Sequence, residues 1–189
     1  MPPSASKSQL KQSVGGAANE ISGCCEFSRL DIRVGRVVDV EVHPDADSLY
    51  VEQIDCGEPE LRTVVSGLVQ FVPIDNLRNR LVVVLCNLKP VKLKGIESRA
   101  MVLCASSENP RVVEPLTVPE ECVPGERVLL QDVVLGEPDV QLNPKKKIWE
   151  KLQADLKTSS DRIAVWNCMP LITQHGAITC DSLENIPIK

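Results

Sequence analysis

The sequence is poor in aromatic residues, which make up only 3% of its 189 positions. A broad aromatic platform for stacking many nucleic-acid bases is therefore excluded. Long apolar runs are also absent, since no stretch approaches the roughly 20 apolar residues that span a bilayer. The N-terminus, MPPSASKSQLKQ, lacks the apolar centre of a secretory signal. We therefore expect a cytoplasmic protein with no membrane partner.

The eight cysteines form no C-x-x-C pair, which argues against a zinc site of that type. Cys86 and Cys104 lie inside apolar runs, where a free thiol packs as a small hydrophobic group. A disulfide framework is typical of small secreted domains and not of a chain this long. We expect no metal and no other cofactor.

Positive charge is in deficit overall but concentrated in one stretch. The formal net charge is −5. Between positions 78 and 99, one acid, Glu97, stands against six basic residues: Arg78, Arg80, Lys89, Lys92, Lys94 and Arg99. A polyanion responds to the local field of a surface, so this stretch predicts an anion-binding patch on an acidic chain.

Five segments rich in Val, Ile and Leu predict strands within about 80 residues. A short helix that begins at Pro73 separates the third segment from the fourth. Gly35 interrupts the first segment, and a bulge or bend there would let one strand serve two sides of a small barrel. This order is that of an all-β, five-stranded oligonucleotide/oligosaccharide-binding (OB) barrel. The five segments are 28–42, 49–56, 62–66, 81–88 and 101–105.

The remainder of the chain predicts a second β-rich unit with one helix. Segments 111–118 and 126–134 have the pattern of short strands, and two more are expected around Gly176. Asn143 is a good cap and Pro144 a good first residue for a helix over KKKIWEKLQADLKT. This extension follows without a flexible linker, so we expect it to pack directly on the barrel.

The chain is therefore divided into an arm at 1–27, a barrel at 28–107 and an extension at 108–189. The arm is rich in Ser, Gly, Ala and Gln, which is the composition of a disordered segment. The alternative for the arm is a short helix around positions 8–14 that docks on a partner.

Three further groups of residues have a structural and a functional interpretation. His43, Asp45 and Asp47 are compatible with a metal or acid/base site, but the adjoining Pro44 favours a capped turn. Trp149 and Trp166 are interpreted as core residues. The lysines at 145–147 are either a secondary phosphate contact or a solvated helical turn, and the sequence leaves both open.

Six separated motifs, in order, resemble the tRNA-binding domain of the endothelial monocyte-activating polypeptide (EMAP II-like) family. They are SRLDIRVG, HPDADSLYVE, RTVVSGLV, VVVLCNLKP, KGIESRAM and LNPKKKIWEKLQADL. The family includes the scaffold protein of the multi-synthetase complex and the C-terminal appendices of animal tyrosyl-tRNA and some methionyl-tRNA synthetases. The resemblance implies an OB-fold barrel whose extension imitates the second subunit of a dimer, and hence a monomer with a pseudo-dimer architecture.

The resemblance also implies a non-catalytic module, not an enzyme, that binds tRNA by shape and backbone charge. Such a module delivers tRNA to an aminoacyl-tRNA synthetase, whether tyrosyl, methionyl or part of the multi-synthetase complex. No HIGH-type or KMSKS-type motif of a synthetase active site is present. The residues that match the family's binding positions, or lie near them as phosphate contacts, are Asn87, Lys89, Lys92, Lys94, Ser98, Arg99 and Met101.

The alternative function that the resemblance implies is a released or secreted cytokine acting on leukocytes or endothelium. It depends on a segment similar to the family's cytokine heptapeptide, which ends in Thr in close relatives and in Asp here. The segment consists of Arg33, Val34, Gly35, Arg36, Val37, Val38 and Asp39.

Overall fold

The computed structural model describes residues 26–189, so nearly all of the predicted N-terminal arm lies outside the described residues. Between residues 32 and 102 the chain forms seven strands and one short helix. These are β1 (Ile32–His43), β2 (Ala46–Asp55), β3 (Arg62–Ser66), α1 (Ile74–Leu77), β4 (Leu81–Leu85), β5 (Val91–Leu93), β6 (Ile96–Ser98) and β7 (Met101–Val102).

Five of these strands form one antiparallel sheet in the order β3-β2-β1-β4-β7. The long strand β1 pairs with β4 through its first half and with β2 through its second half, so it serves two sides of the sheet. The gap between β3 and the β6–β7 segment is bridged by two hydrogen bonds. Arg99 N donates to the Thr63 carbonyl (2.9 Å), and Val65 N donates to the Ser98 hydroxyl (3.0 Å). The predicted all-β, OB-type architecture is confirmed.

Gly35 lies where β1 changes partners, and the packing there leaves no room for a side chain. A Cβ at this position would lie 2.7 Å from Ile54 Cγ2 and 3.0 Å from Val84 Cγ2. The register irregularity expected at Gly35 falls instead between Val37 and Asp39. The glycine therefore permits close approach of the neighbouring strands, and the bulge lies two to four residues further along.

The fifth strand, predicted as 101–105, is divided at Leu103. Its N–H donates to the Val83 carbonyl at 2.9 Å, which is the last bond of this segment to β4. From Cys104 onward the chain turns to the C-terminus, where Cys104 N donates to the Lys189 carbonyl (2.9 Å). One predicted strand therefore becomes two, because its halves pair with different partners.

The second part of the fold begins with a hairpin of β8 (Cys104–Glu108) and β9 (Arg111–Pro115). Four strands then form a sheet in the order β10-β13-β12-β11, with β14 on the side of β13. The bounds of the remaining elements are β10 (Leu129–Leu130), a 3₁₀ turn (Pro144–Lys146), α2 (Ile148–Gln153), β11 (Leu156–Thr158), β12 (Ala164–Trp166), β13 (Met169–Thr173) and β14 (Gly176–Ala177).

The helix predicted after Asn143 is shorter than expected and forms in two pieces. Asn143 Oδ1 accepts a hydrogen bond from Lys145 N (3.0 Å) and so caps the 3₁₀ turn. Lys147, with φ of 50°, adopts the left-handed conformation and separates this turn from α2. α2 ends at Gln153 because the residues that follow pair with β12 as strand β11.

Two apolar clusters hold the molecule together. One fills the barrel and includes Val37, Ile54 and Leu77. The other lies between the barrel and the extension, and it contains barrel residues such as Ile32 together with Trp149 and Trp166 of the extension. Each fully buried large apolar side chain contributes about 1.5–3 kcal/mol. The extension is therefore packed on the barrel through a shared core, as expected, and both tryptophans belong to that core.

Residues at the start of the described region also belong to the folded body. The ring of Phe27 lies 5.2 Å from that of Trp166, and Phe27 is 1% exposed. The Trp166 indole N–H donates to the Leu152 carbonyl at 3.0 Å. Within residues 26–189, no helix has the length and apolar character needed to cross a membrane.

Candidate nucleic-acid interface

Two loops meet at one end of the barrel. The first is the β1–β2 turn at Pro44 and Asp45, and the second is the connector of residues 86–100 that contains the β5–β6 hairpin. His43 Nδ1 accepts a hydrogen bond from Asp45 N (3.0 Å), so Nε2 carries the proton. Nε2 lies 3.2 Å from the Leu93 carbonyl and donates to it. The corresponding two loops flank the usual ligand site of OB folds.

The same bonds decide between the two interpretations of the HPDAD segment. His43 is 2% exposed, and both of its ring nitrogens are used within the protein. Throughout the described region, no group of three or more His, Cys, Asp or Glu side chains is placed to hold a metal ion. The segment is a capped turn that joins the two loops.

The β5–β6 hairpin presents two of the four cations of the connector, and the other two flank it. Its two turn residues, Lys94 and Gly95, both have positive φ (49° and 88°), as a tight type I′ turn requires. Lys89, Lys92, Lys94 and Arg99 are all exposed. Among the described residues, none of the four has a carboxylate within ion-pair distance. The connector therefore offers four unpaired cations to solvent. We call Lys89, Lys92, Lys94 and Arg99 the basic patch.

Two of the six basic residues counted in the sequence lie outside this patch. Arg78 Nη2 donates to the Val40 carbonyl (3.4 Å), and Arg80 Nη2 donates to the Pro115 carbonyl (3.3 Å). Both precede β4, whereas the basic patch follows it. The expectation that all six basic residues form one patch is therefore corrected: the connector holds four of them together with Glu97.

Asn87 is buried, with 3% of its surface exposed, and all of its amide groups are used. Its Oδ1 accepts from Asp31 N (3.1 Å), and its Nδ2 donates to the carbonyls of Arg29 (2.8 Å) and Asp139 (2.9 Å). The backbone carbonyl of Asn87 accepts a hydrogen bond from Leu142 N at 2.7 Å. Asn87 thus ties the start of the connector to the extension.

Ser98 closes the connector in a similar way. It is 5% exposed, and its hydroxyl accepts from Val65 N and donates to the Ala100 carbonyl (3.1 Å). Met101 is half-buried against the core that the barrel shares with the extension. Of the seven predicted tRNA-binding residues, the four cations are on the surface, Met101 is partly so, and Asn87 and Ser98 have no free hydrogen-bonding group in this conformation.

Arg62, which was not among the residues predicted from the sequence, links both ends of the connector to β3. Its Nη1 donates to the carbonyls of Cys86 (2.7 Å) and Arg99 (2.9 Å). Glu58 holds it with two bonds, from Nε (2.8 Å) and Nη2 (2.7 Å). This pairing lowers the pKa of the Glu58 carboxyl and raises the pKa of Arg62. The sequence signal that could have identified Arg62 is its spacing of four residues from Glu58, since Arg62 begins strand β3.

The cytokine-like segment 33–39 is the central strand of the sheet and is paired on both sides. Val34 and Val37 are fully buried. The Arg33 guanidinium donates to both oxygens of Asp31 (2.9 and 2.7 Å) and to Glu58 (3.1 Å). The bonds to Asp31 raise the pKa of Arg33. Within the segment, only Val38 and Asp39 are exposed.

The strand order, the two joined loops and the unpaired cations define an OB-type binding module. A family model described as "Putative tRNA binding domain" matches residues 32–127. The chain belongs to this tRNA-binding domain family, as the six motifs predicted. Because the family is a binding domain, the chain is a non-catalytic module.

Relatives and a solved structure agree with this assignment. The chain is 59% identical over 178 residues to Tyrosine--tRNA ligase, cytoplasmic, of Gallus gallus, covering 94% of this chain and 34% of that protein. It is 52% identical over 165 residues to Aminoacyl tRNA synthase complex-interacting multifunctional protein 1 of Cricetulus griseus, covering 87% and 45%. The chain therefore spans less than half the length of these two relatives.

The fold is similar to the crystal structure of the C-terminal domain of Plasmodium vivax p43. The TM-score is 0.80 at 34% identity, and the match covers 86% of this chain and 98% of that one. This likeness extends beyond the barrel, since the family model ends at residue 127 and the structural match includes much of the extension.

Proposed function

We propose that the chain captures tRNA through the basic patch and brings it to an aminoacyl-tRNA synthetase. The observation that carries the proposal is the group of four exposed, unpaired cations at the barrel end where the two loops meet. When such cations neutralise RNA phosphates, the counterions of the RNA are released. The binding affinity therefore falls steeply as the salt concentration rises.

The residues of the proposed site have two different roles. The ammonium and guanidinium groups of the basic patch contact phosphates, and Met101 lies beside the bound RNA. Asn87 and Ser98 hold the ends of the connector, so that the cations keep a fixed spacing. Recognition of this kind reads the shape of folded RNA more than its base sequence.

Delivery needs no chemistry by this chain. A module that holds tRNA near a catalytic domain raises its effective concentration there, whether the two are linked covalently or in a complex. We place the chain in the cytoplasm, as a monomer whose extension takes the place of a second subunit. The boundary proposed between 107 and 108 falls within β8, so the barrel and the extension share the β8–β9 hairpin.

The signalling alternative has no supporting observation. A receptor that reads the segment 33–39 as a linear peptide would have to remove it from between β2 and β4. That step opens the central strand of the barrel. We therefore do not propose a cytokine function for the folded chain.

The test is binding of unfractionated tRNA across a salt series. We expect the double variant Lys89→Glu, Arg99→Glu to lower the affinity at least tenfold at low salt. The matched control is Lys157→Glu, Lys189→Glu, which makes the same change in net charge on the extension, where Lys157 lies beside Pro187 near the C-terminus. Equal affinity of the two variants would overturn the proposal.

A further inference from the structure

The lysines at 145–147 have no role in the site described above. All three are exposed, and in the described part of the chain none has a carboxylate within ion-pair distance. They are the densest run of positive charge in the sequence. Three adjoining ammonium groups without partners create a locally positive potential, which attracts an external anion.

The backbone of this run lies within chain reach of the start of the connector. Asn87 bonds to the extension at two points, Asp139 and Leu142. Lys89 follows Asn87 by two residues, and Lys145 follows Leu142 by three. Since an extended chain advances by at most about 3.6 Å per residue, the two Cα atoms lie no more than roughly 25 Å apart.

The turn that carries the lysines is held firmly in place. Asn143 caps it on one side, and on the other side Ile148 and Trp149 are buried in the core shared with the barrel. The backbone position of the lysines relative to Lys89 is therefore set by the fold and not by a free loop. A separation of at most roughly 25 Å is within the reach of a single folded RNA that contacts both positions.

We propose that Lys145, Lys146 and Lys147 form a second phosphate contact, so that one bound RNA crosses from the basic patch onto the extension. The ligand class is the sugar–phosphate backbone of a folded RNA long enough to reach both positions. This inference rests on the proposed function, and it makes the extension part of the binding surface as well as a cover for the barrel.

The test compares two double variants that each remove two positive charges from the extension. The first is Lys145→Gln, Lys146→Gln, and the control is Lys157→Gln, Lys189→Gln. Lys147 is left unchanged because its left-handed backbone links the turn to α2. We expect the first variant to bind tRNA three- to tenfold more weakly at low salt, with the slope of log K against log salt reduced by about one to two. We expect the control to stay within twofold of the parent chain.

A second RNA separates a local contact from a general loss of charge. An RNA of only a few nucleotides cannot contact both positions at once, so the loss of the two extension lysines should affect its binding much less than it affects the binding of tRNA. Equal effects of the two variants on tRNA, with unchanged melting temperatures, would overturn the inference. If the variant Lys89→Glu, Arg99→Glu also left tRNA binding intact, the proposed function itself would fail. If that variant did weaken tRNA binding, the proposed function would stand and only the second contact would be rejected.

Discussion

The cations around the connector fall into two groups that are used in opposite ways. Arg33 and Arg62 are paired with carboxylates and donate to backbone carbonyls, so partners within the protein neutralise their charge. The lysines of the basic patch have no such partners among the described residues. The comparison teaches that the number of basic residues in a stretch says little about its field until pairing is known.

The difference also separates stability from binding. A paired, half-buried cation holds elements together, and its loss leaves buried acceptors without donors. An unpaired surface cation contributes little to folding, since even exposed ion pairs are typically worth only about 0–1 kcal/mol. Each group should therefore respond to mutation in a different measurement.

Glu52 extends the comparison to a buried carboxyl group that has no basic partner. Its replacement gives the largest expected effect on stability. The side chain is fully buried in the barrel; Oε1 accepts from the Ser66 hydroxyl (2.6 Å), and Oε2 has no partner among the described residues. Burial raises the pKa of Glu52 from 4.5 to about 7. The protonated form is thus favoured by folding. Its stabilising contribution is complete below pH 4.5, decreases as the pH rises to about 7, and is then constant.

A shift of this size corresponds to about 3 kcal/mol. We expect the free energy of unfolding of Glu52→Gln, minus that of the parent chain, to rise by about this amount between pH 4.5 and 7.5. Urea unfolding at several pH values measures the difference. Glu41→Gln, at an exposed position of β1, is the control for the loss of one carboxylate. A pH-independent difference for Glu52→Gln would mean that the carboxyl titrates normally.

Arg62→Met breaks the paired group. The Cys86 and Arg99 carbonyls lose their donor, and Glu58 keeps only Arg33, so we expect a loss of about 2–3 kcal/mol in the free energy of unfolding. tRNA binding should weaken because the connector is no longer held, yet its salt slope should be unchanged, since no phosphate contact is removed. A reduced slope would place Arg62 among the direct contacts.

Lys92→Met breaks the unpaired group with the reverse pattern. We expect stability to stay within about 0.5 kcal/mol of the parent chain. The salt slope should fall by about 0.7–0.9, the value for one lost phosphate contact, with a few-fold loss of affinity at low salt. Filter binding measures the affinity and its salt slope, and thermal unfolding of the same preparations measures the stability. An unchanged slope would remove this lysine from the interface.

The fold was largely predictable because β1 to β4 carry local signals: apolar runs, turn residues and the proline before α1. What the sequence could not show is where a strand changes partners. The division of segment 101–105 at Leu103 depends on Val83 and Lys189, which are distant in the chain. The early end of α2 likewise depends on pairing with β12, which overrides the helical pattern up to Thr158.

For the site, the charges of the connector were readable, whereas the state of each polar side chain was not. Asn87 and Lys89 lie two residues apart in a polar stretch, but one is buried by contacts from 29, 31 and 139 and the other is open to solvent. Arg62 was missed for the same reason, since its partners at Cys86 and Arg99 are remote in sequence. Long-range hydrogen bonding decides which polar residues hold the site and which are free to bind.

The smallest expected effect on tRNA affinity belongs to His43, which joins the two loops without contacting the RNA itself. His43→Ala removes the bond to Leu93 and the acceptor for Asp45 N, so we expect a loss of about 1 kcal/mol in the free energy of unfolding. tRNA affinity should fall only two- to threefold, with an unchanged salt slope, while amide exchange in β5 and β6 becomes faster. His175→Ala, at an exposed turn, is the control. If β5 and β6 kept their protection and the tRNA affinity were unchanged, the hairpin would be held by its own turn and by Ser98, and the link between the loops would have no consequence for binding.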